Sequence, residues 1–142
     1  MTATLDQVRV LIVDDDELFA ESLAAMLNDQ EEIEVVGWVS NALDAISFVA
    51  ADHPDVVLMD VAMPGMNGVE AAKIIARDDP HTRVVLLSGT IFGEQLEQIS
   101  GETGALAYLT KARVTIDLVP MLLATTGDRS LETKEARPGE PA

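Results

Sequence analysis

The sequence predicts an α/β protein: five βα units whose strands form a parallel sheet, doubly wound, with helices on both faces. Three observations predict it. Four short runs are apolar throughout, as strands buried on both faces are, and stretches with apolar residues at helical spacing follow the runs along the chain. Carboxylates, a serine and a lysine stand just past the ends of these runs, where doubly wound sheets bind their ligands.

The first strand is Val8 to Val13, followed by Asp14, Asp15 and Asp16. Asp16 is placed to cap a helix with its side-chain oxygen, and Leu18, Phe19, Leu23, Met26 and Leu27 recur behind it at helical spacing. Ile33 to Val39 is a strand broken by Glu34 and Gly37, which suits a sheet edge, and a helix over Asn41 to Ala51 follows it. The third strand, Val56 to Met59, delivers Asp60 at its end and leads to a helix over Val69 to Arg77. Val84 to Leu87 is the fourth, followed by Ser88 and by a helix over Phe92 to Ser100. Gly93 and Gly101, each ~1 kcal/mol less helix-favouring than alanine, leave that segment weakly held. Ala105 to Leu109 is the fifth strand, followed by Lys111, and a last helix covers roughly Thr115 to Thr125. Because proline is tolerated in a first turn but costs ~3 kcal/mol deeper in a helix, Pro120 predicts a start near Asp117 as cap, or a kink at the start.

Residues 1–126 form one expected domain, and residues 127–142, with one large apolar residue, read as a disordered tail or linker. The formal charge is −16, of which the tail's four acids and three bases contribute −1. Non-specific binding to nucleic acid or to an anionic membrane needs Lys and Arg to neutralise phosphates, so neither is expected. No apolar stretch reaches the ~18–20 residues of a membrane span. Residues Met1 to Asp6 do not join a basic region to an apolar one, and there is no cysteine for disulfides. A cytoplasmic location is expected.

If the first and third strands are neighbours, Asp14, Asp15 and Asp60 meet at one edge of the sheet. Carboxylates ~6 Å apart repel by ~2–3 kcal/mol per pair at an effective dielectric near 20. A divalent cation relieves that, and all-oxygen ligands favour Mg²⁺, or Mn²⁺, over zinc. His53 and His81 lie in loops without ligand spacing and read as surface residues. Singly, each acid has a plainer reading: a solvated turn, or charge at a helix N-terminus. Their joint placement with Ser88 and Lys111 at successive strand ends is what points to a site.

These residues carry a resemblance to the receiver domain of two-component response regulators, covering residues 7 to about 126. The matching segments are Val10 to Asp15, Pro54 to Asp60 with Met63-Pro64-Gly65-Met66-Asn67-Gly68, Val85 to Gly89, and Gly104 to Lys111. Val35-Val36-Gly37 with Ser40-Asn41-Ala42 is similar to receivers of NarL/LuxR type. The resemblance implies a flavodoxin/CheY-like strand order, 2-1-3-4-5. It implies that Asp60 accepts a phosphoryl group from a sensor histidine kinase or from acetyl phosphate, with no enzymatic turnover beyond slow self-dephosphorylation. It implies Mg²⁺ held by Asp15, Asp60 and the Ala62 backbone carbonyl, with Asp14 acting through water, and Lys111 offsetting charge on the phosphoryl oxygens. Ser88 would then contact the phosphoryl group and Tyr108 would turn inward as the switch. The output would be a phosphorylation-dependent homodimer or partner contact through Phe92 to Ser100, the fifth strand and the last helix. One departure is Ala112, which follows Lys111 where many members have proline. A haloacid-dehalogenase-like phosphatase, whose D-x-D start Asp14-Asp15-Asp16 satisfies, and an interaction module with a degenerate site are the alternatives.

Overall fold

The computed structural model describes residues 7–63, 68–89, 98, 105 and 107–127. Apart from Gln98, the helix expected over Phe92 to Ser100 lies outside the described residues, as do positions 64–67 and the tail from 128 to 142. The elements in chain order are β1 (Val8–Val13), α1 (Glu17–Asn28), β2 (Ile33–Val39), α2 (Ala42–Asp52), β3 (Val56–Asp60), α3 (Gly68–Asp78), β4 (Arg83–Ser88), β5 (Ala107–Thr110), a 3-10 turn (Lys111–Arg113) and α4 (Val114–Gly127). The sheet is parallel in the order β2-β1-β3-β4-β5. From β1 the chain steps one way to β2 and the other way to β3, so the order reverses there. Asp14 and Asp60 stand at the carboxyl ends of the two strands that flank the reversal.

Unbroken apolar runs are explained by a core on each face of the sheet. Val8, Val10, Ile12, Val56, Leu58, Val85 and Leu87 pack with Leu23 and Leu27 of α1 and Leu118 and Leu122 of α4. Leu11, Val13, Val57, Met59, Val84 and Leu86 face the other way, onto Ala45 and Val49 of α2 and Ala71, Ala72 and Ile75 of α3. Small residues on α2 and α3 let both helices approach the sheet closely. β2 is an edge strand with one buried residue, Ile33, in agreement with its polar breaks. Among the described residues no helix is long and apolar enough to cross a membrane.

Asp16 caps α1 where the sequence places a cap, and Asn41, the first residue of the expected second helix, caps α2. Asp16 accepts from the Phe19 amide and Asn41 from the Asp44 amide. His53 ends α2 in the left-handed region, φ 52°, and its exposed ring bonds Asp79, a structural use of a surface histidine. Leu18 departs from the apolar stripe of α1: it is 76% exposed, and Ala20, Leu23 and Leu27 form the buried face.

The last helix covers the expected Thr115 to Thr125, but not with the start near Asp117 that Pro120 suggested. It begins at Val114, ahead of Asp117, and Pro120 sits in its interior. Asp117 does not cap; it pairs one turn back with Arg113 at 3.0 Å. Burial of Val114, Leu118, Met121 and Leu122 overrides the proline penalty, and the exposed Pro120 ring lies on the solvent side. Ala112 lies in the 3-10 turn, and no peptide bond among the described residues is cis.

Candidate functional site

Asp14 and Asp15 follow β1, Asp60 closes β3, and Lys111 follows β5. One carboxylate oxygen from each of Asp14, Asp15 and Asp60 lies within 4.8 Å of the others. Asp14 and Asp60 are buried and Asp15 is exposed, so the cluster is a crevice open on one side. Lys111 Nζ stands 2.8 Å from Asp14 Oδ2 and 3.5 Å from Asp60 Oδ2. The Asp16 amide donates to Asp14 Oδ1 at 2.8 Å, and the Ala62 amide donates to Asp60 Oδ1 at 3.0 Å. Each buried carboxylate thus has one oxygen tied to a main-chain N–H and the other turned towards the ammonium.

The strand ends fix this arrangement for local reasons. The Val61 amide bonds the Leu87 carbonyl at 3.0 Å, continuing the β3–β4 ladder one residue past Asp60. At the start of α3, a Cβ on Gly68 would lie 2.0 Å from the Asp60 carbonyl oxygen, so only glycine lets that helix approach the acid's main chain. Lys111 passes its ammonium 4.4 Å from the Phe19 ring centroid, a cation–π contact that holds the charge over α1.

Burial pushes the Asp60 carboxyl up, the Ala62 N–H draws it down, Asp14 raises it again and Lys111 lowers it, leaving it at about 6. Burial draws the Lys111 ammonium down, but its close contact with Asp14 and the charge of Asp60 outweigh that and hold it above its ordinary value. Among the described residues the site therefore carries one cation against three acids. Among the described residues, buried Asp14 Oδ2 has no aligned hydrogen-bond partner; the Lys111 ammonium, 2.8 Å away, meets it by charge. A buried carboxylate oxygen without an aligned hydrogen-bond donor, two further carboxylates beside it and no His or Cys in the cluster among the described residues make a donor set that fits a hard divalent cation.

The other expected residues are placed beside this cluster. Ser88 closes β4, fully buried and opposite Thr110 of β5. Tyr108 pairs with Leu86 and is half-buried against the α2–α3 core. Ala62 sits exposed on the rim. Two aromatic contacts were not foreseeable from spacing: Phe19 under Lys111, and Trp38, whose Nε1 donates to the Asp14 carbonyl oxygen at 2.8 Å.

Residues 10–122 match the family model described as the response regulator receiver domain. The chain belongs to the response regulator receiver family. Among its relatives, the transcriptional regulatory protein LiaR of Bacillus subtilis is 35% identical over 91% of this chain and 61% of its own length. Response regulator UvrY of Escherichia coli is 37% identical over 79% of this chain and 51% of its own. The solved structure of a LuxR-family two-component response regulator from Aurantimonas superposes with a TM-score of 0.79 at 26% identity, covering 85% of this chain and 86% of that one. The chain thus spans between half and two-thirds of the length of these two curated relatives. Regulators of NarL and LuxR kind are among the chain's relatives, in agreement with the Val35-Val36-Gly37 and Ser40-Asn41-Ala42 segments, and the comparisons do not favour a haloacid-dehalogenase-like phosphatase.

Proposed function

We propose that this receiver accepts a phosphoryl group on Asp60 and that the acyl phosphate is its signal. The convergence of Asp14, Asp15, Asp60 and Lys111 at adjoining strand ends carries the reading. An Asp60 oxygen attacks phosphorus in a phosphohistidine of a sensor kinase, or in acetyl phosphate. The P–O bond to Asp60 forms as the P–N bond, or the P–O bond of the donor, breaks, and the leaving group keeps the electron pair. Asp60 must be ionised to attack. Lys111, held between Asp14 and Asp60, offsets charge on the incoming phosphoryl oxygens without leaving its place. Mg²⁺, when bound by Asp15, Asp60 and the Ala62 carbonyl with Asp14 acting through water, would supply further positive charge at those oxygens.

Ser88, one strand away, is the residue to meet the phosphoryl group, and Tyr108 the one to respond by packing deeper. The two ends of such a switch are populations of one fold, shifted by the new contacts. The output reading is a phosphorylation-dependent contact with a second receiver or a partner through the β5–α4 side and the Phe92 to Ser100 segment. We read residues 1–126 as the domain, 127–142 as its tail, the setting as cytoplasmic, and residues 1–142 as making no direct contact with nucleic acid.

Beryllofluoride with Mg²⁺, followed by calorimetry, tests the acceptor role. Saturable binding of one equivalent in wild type and none in Asp60→Asn is expected. Equal binding by the mutant would remove Asp60 from the role.

A further inference from the structure

Trp38 is the chain's single tryptophan and lies 41% exposed near the end of β2, yet its ring N–H points inward to the Asp14 carbonyl. An irregularity in the sheet produces this. β2 pairs in register with β1 from Val8 and Ile33 to Val10 and Val35, then passes over Val36, so that Leu11 meets Gly37 and Ile12 meets Trp38. Ile33 and Val35 pack on the α1 side of the sheet. With strict alternation, residue 38 would face the opposite side, towards α2. The extra residue reverses the alternation: Gly37 turns to α2, where a Cβ would come within 2.9 Å of Phe48, and Trp38 turns to the α1 side with Ile12. The Asp14 amide donates to the Val39 carbonyl at 3.1 Å. Neighbouring residues of β2 therefore hold both polar groups of the Asp14 main chain.

We propose that Trp38 is a positioning residue for the acidic site: its indole N–H fixes the Asp14 peptide and so aims the carboxylates of Asp14 and Asp15 at a shared cation. The proposal rests on reading Asp14, Asp15 and Asp60 as cation ligands. A partner that orients a ligand from outside is a recurring source of metal affinity. The carbonyl it holds belongs to the peptide that links the two acids.

Mg²⁺ titrations by calorimetry on wild type, Trp38→Phe and Trp38→Ala, with metal-free urea melts of each, provide the test. Loss of the N–H should weaken Mg²⁺ binding about tenfold, and by a similar factor in both variants, because both lack the donor. A packing role would instead grade with ring size. Trp38→Phe binding Mg²⁺ as wild type does would overturn the proposal, whatever its melt shows. Should Trp38→Ala fail to fold, the comparison of Trp38→Phe with wild type decides alone. Wild-type tryptophan emission should also change with Mg²⁺ at the calorimetric midpoint, and flat emission alongside measurable heat counts against the proposal. Absence of any Mg²⁺ heat in wild type would strike the cation reading itself and take this inference with it.

Discussion

At Asp60, burial and the Asp14 charge act against ionisation while the Ala62 N–H and Lys111 favour it, and the balance lies towards the neutral form. A carboxyl held at about 6 in the fold but 3.8 as a free group contributes nothing unfavourable below pH ~4, where it is protonated in both states. As pH rises through that window the unfolded chain releases its proton first, and above pH ~6 the folded state bears the full cost. Metal-free Asp60→Asn should therefore be more stable than wild type at pH 7 by ~1–3 kcal/mol, with the gain fading as pH falls towards 4. Urea melts of both proteins in EDTA across pH 4 to 7.5 check this; a gain independent of pH contradicts it. Lys111→Ala should slow acetyl phosphate labelling by roughly tenfold or more, since it removes a cation that faces both buried acids, and a wild-type labelling rate would count against its role. Asp14, Asp60 and Lys111 were legible because a charged residue ending an apolar run is conspicuous. Trp38 and Phe19 were not: one depends on a bulge that reverses a strand's faces, the other on contact between segments far apart in sequence.

At the scale of elements, β1 and β2 have the bounds expected of them, because their apolar runs end at charged or polar residues. The last helix keeps the span its apolar spacing predicts, to within a residue at its start, and not the start near Asp117 that the proline penalty suggests, because four buried side chains and the Arg113–Asp117 pair stabilise a start at Val114. Pro120→Ala should restore an amide donor and relieve the ring's crowding of the preceding turn, stabilising the protein by ~1–3 kcal/mol. Thermal melts at one pH would show it, and a destabilised variant would mean that the proline fits a local bend. Gly68 was visible in the sequence only as part of a motif, and its reason is steric. Gly68→Ala should cost about 2–3 kcal/mol through overpacking and should weaken Mg²⁺ binding as well, since α3 can move only by disturbing Asp60. Unchanged stability in urea would refute the close approach of α3 to Asp60.

For the whole molecule, the two cores, the parallel order and the crevice at its reversal follow from one pattern, apolar runs separated by helical segments, and that pattern was readable. The helix expected between β4 and β5, over Phe92 to Ser100, lies outside the described residues apart from Gln98 and stays an expectation. A net charge of −16, with six of nine bases in residues 1–126, leaves no basic tract for phosphate contacts. Residues 1–142 should not bind duplex DNA at low salt in a mobility or anisotropy assay, and salt-sensitive binding would contradict that. The central claim is that the crevice exists to make an acyl phosphate at one residue. Its most direct test is intact-mass and peptide-map analysis after incubation with acetyl phosphate and Mg²⁺. One phosphoryl group per chain, located on the peptide containing Asp60, sensitive to hydroxylamine and missing in Asp60→Asn, is the expected result. Stoichiometric labelling that persists in Asp60→Asn, or that maps to another residue in wild type, would contradict it.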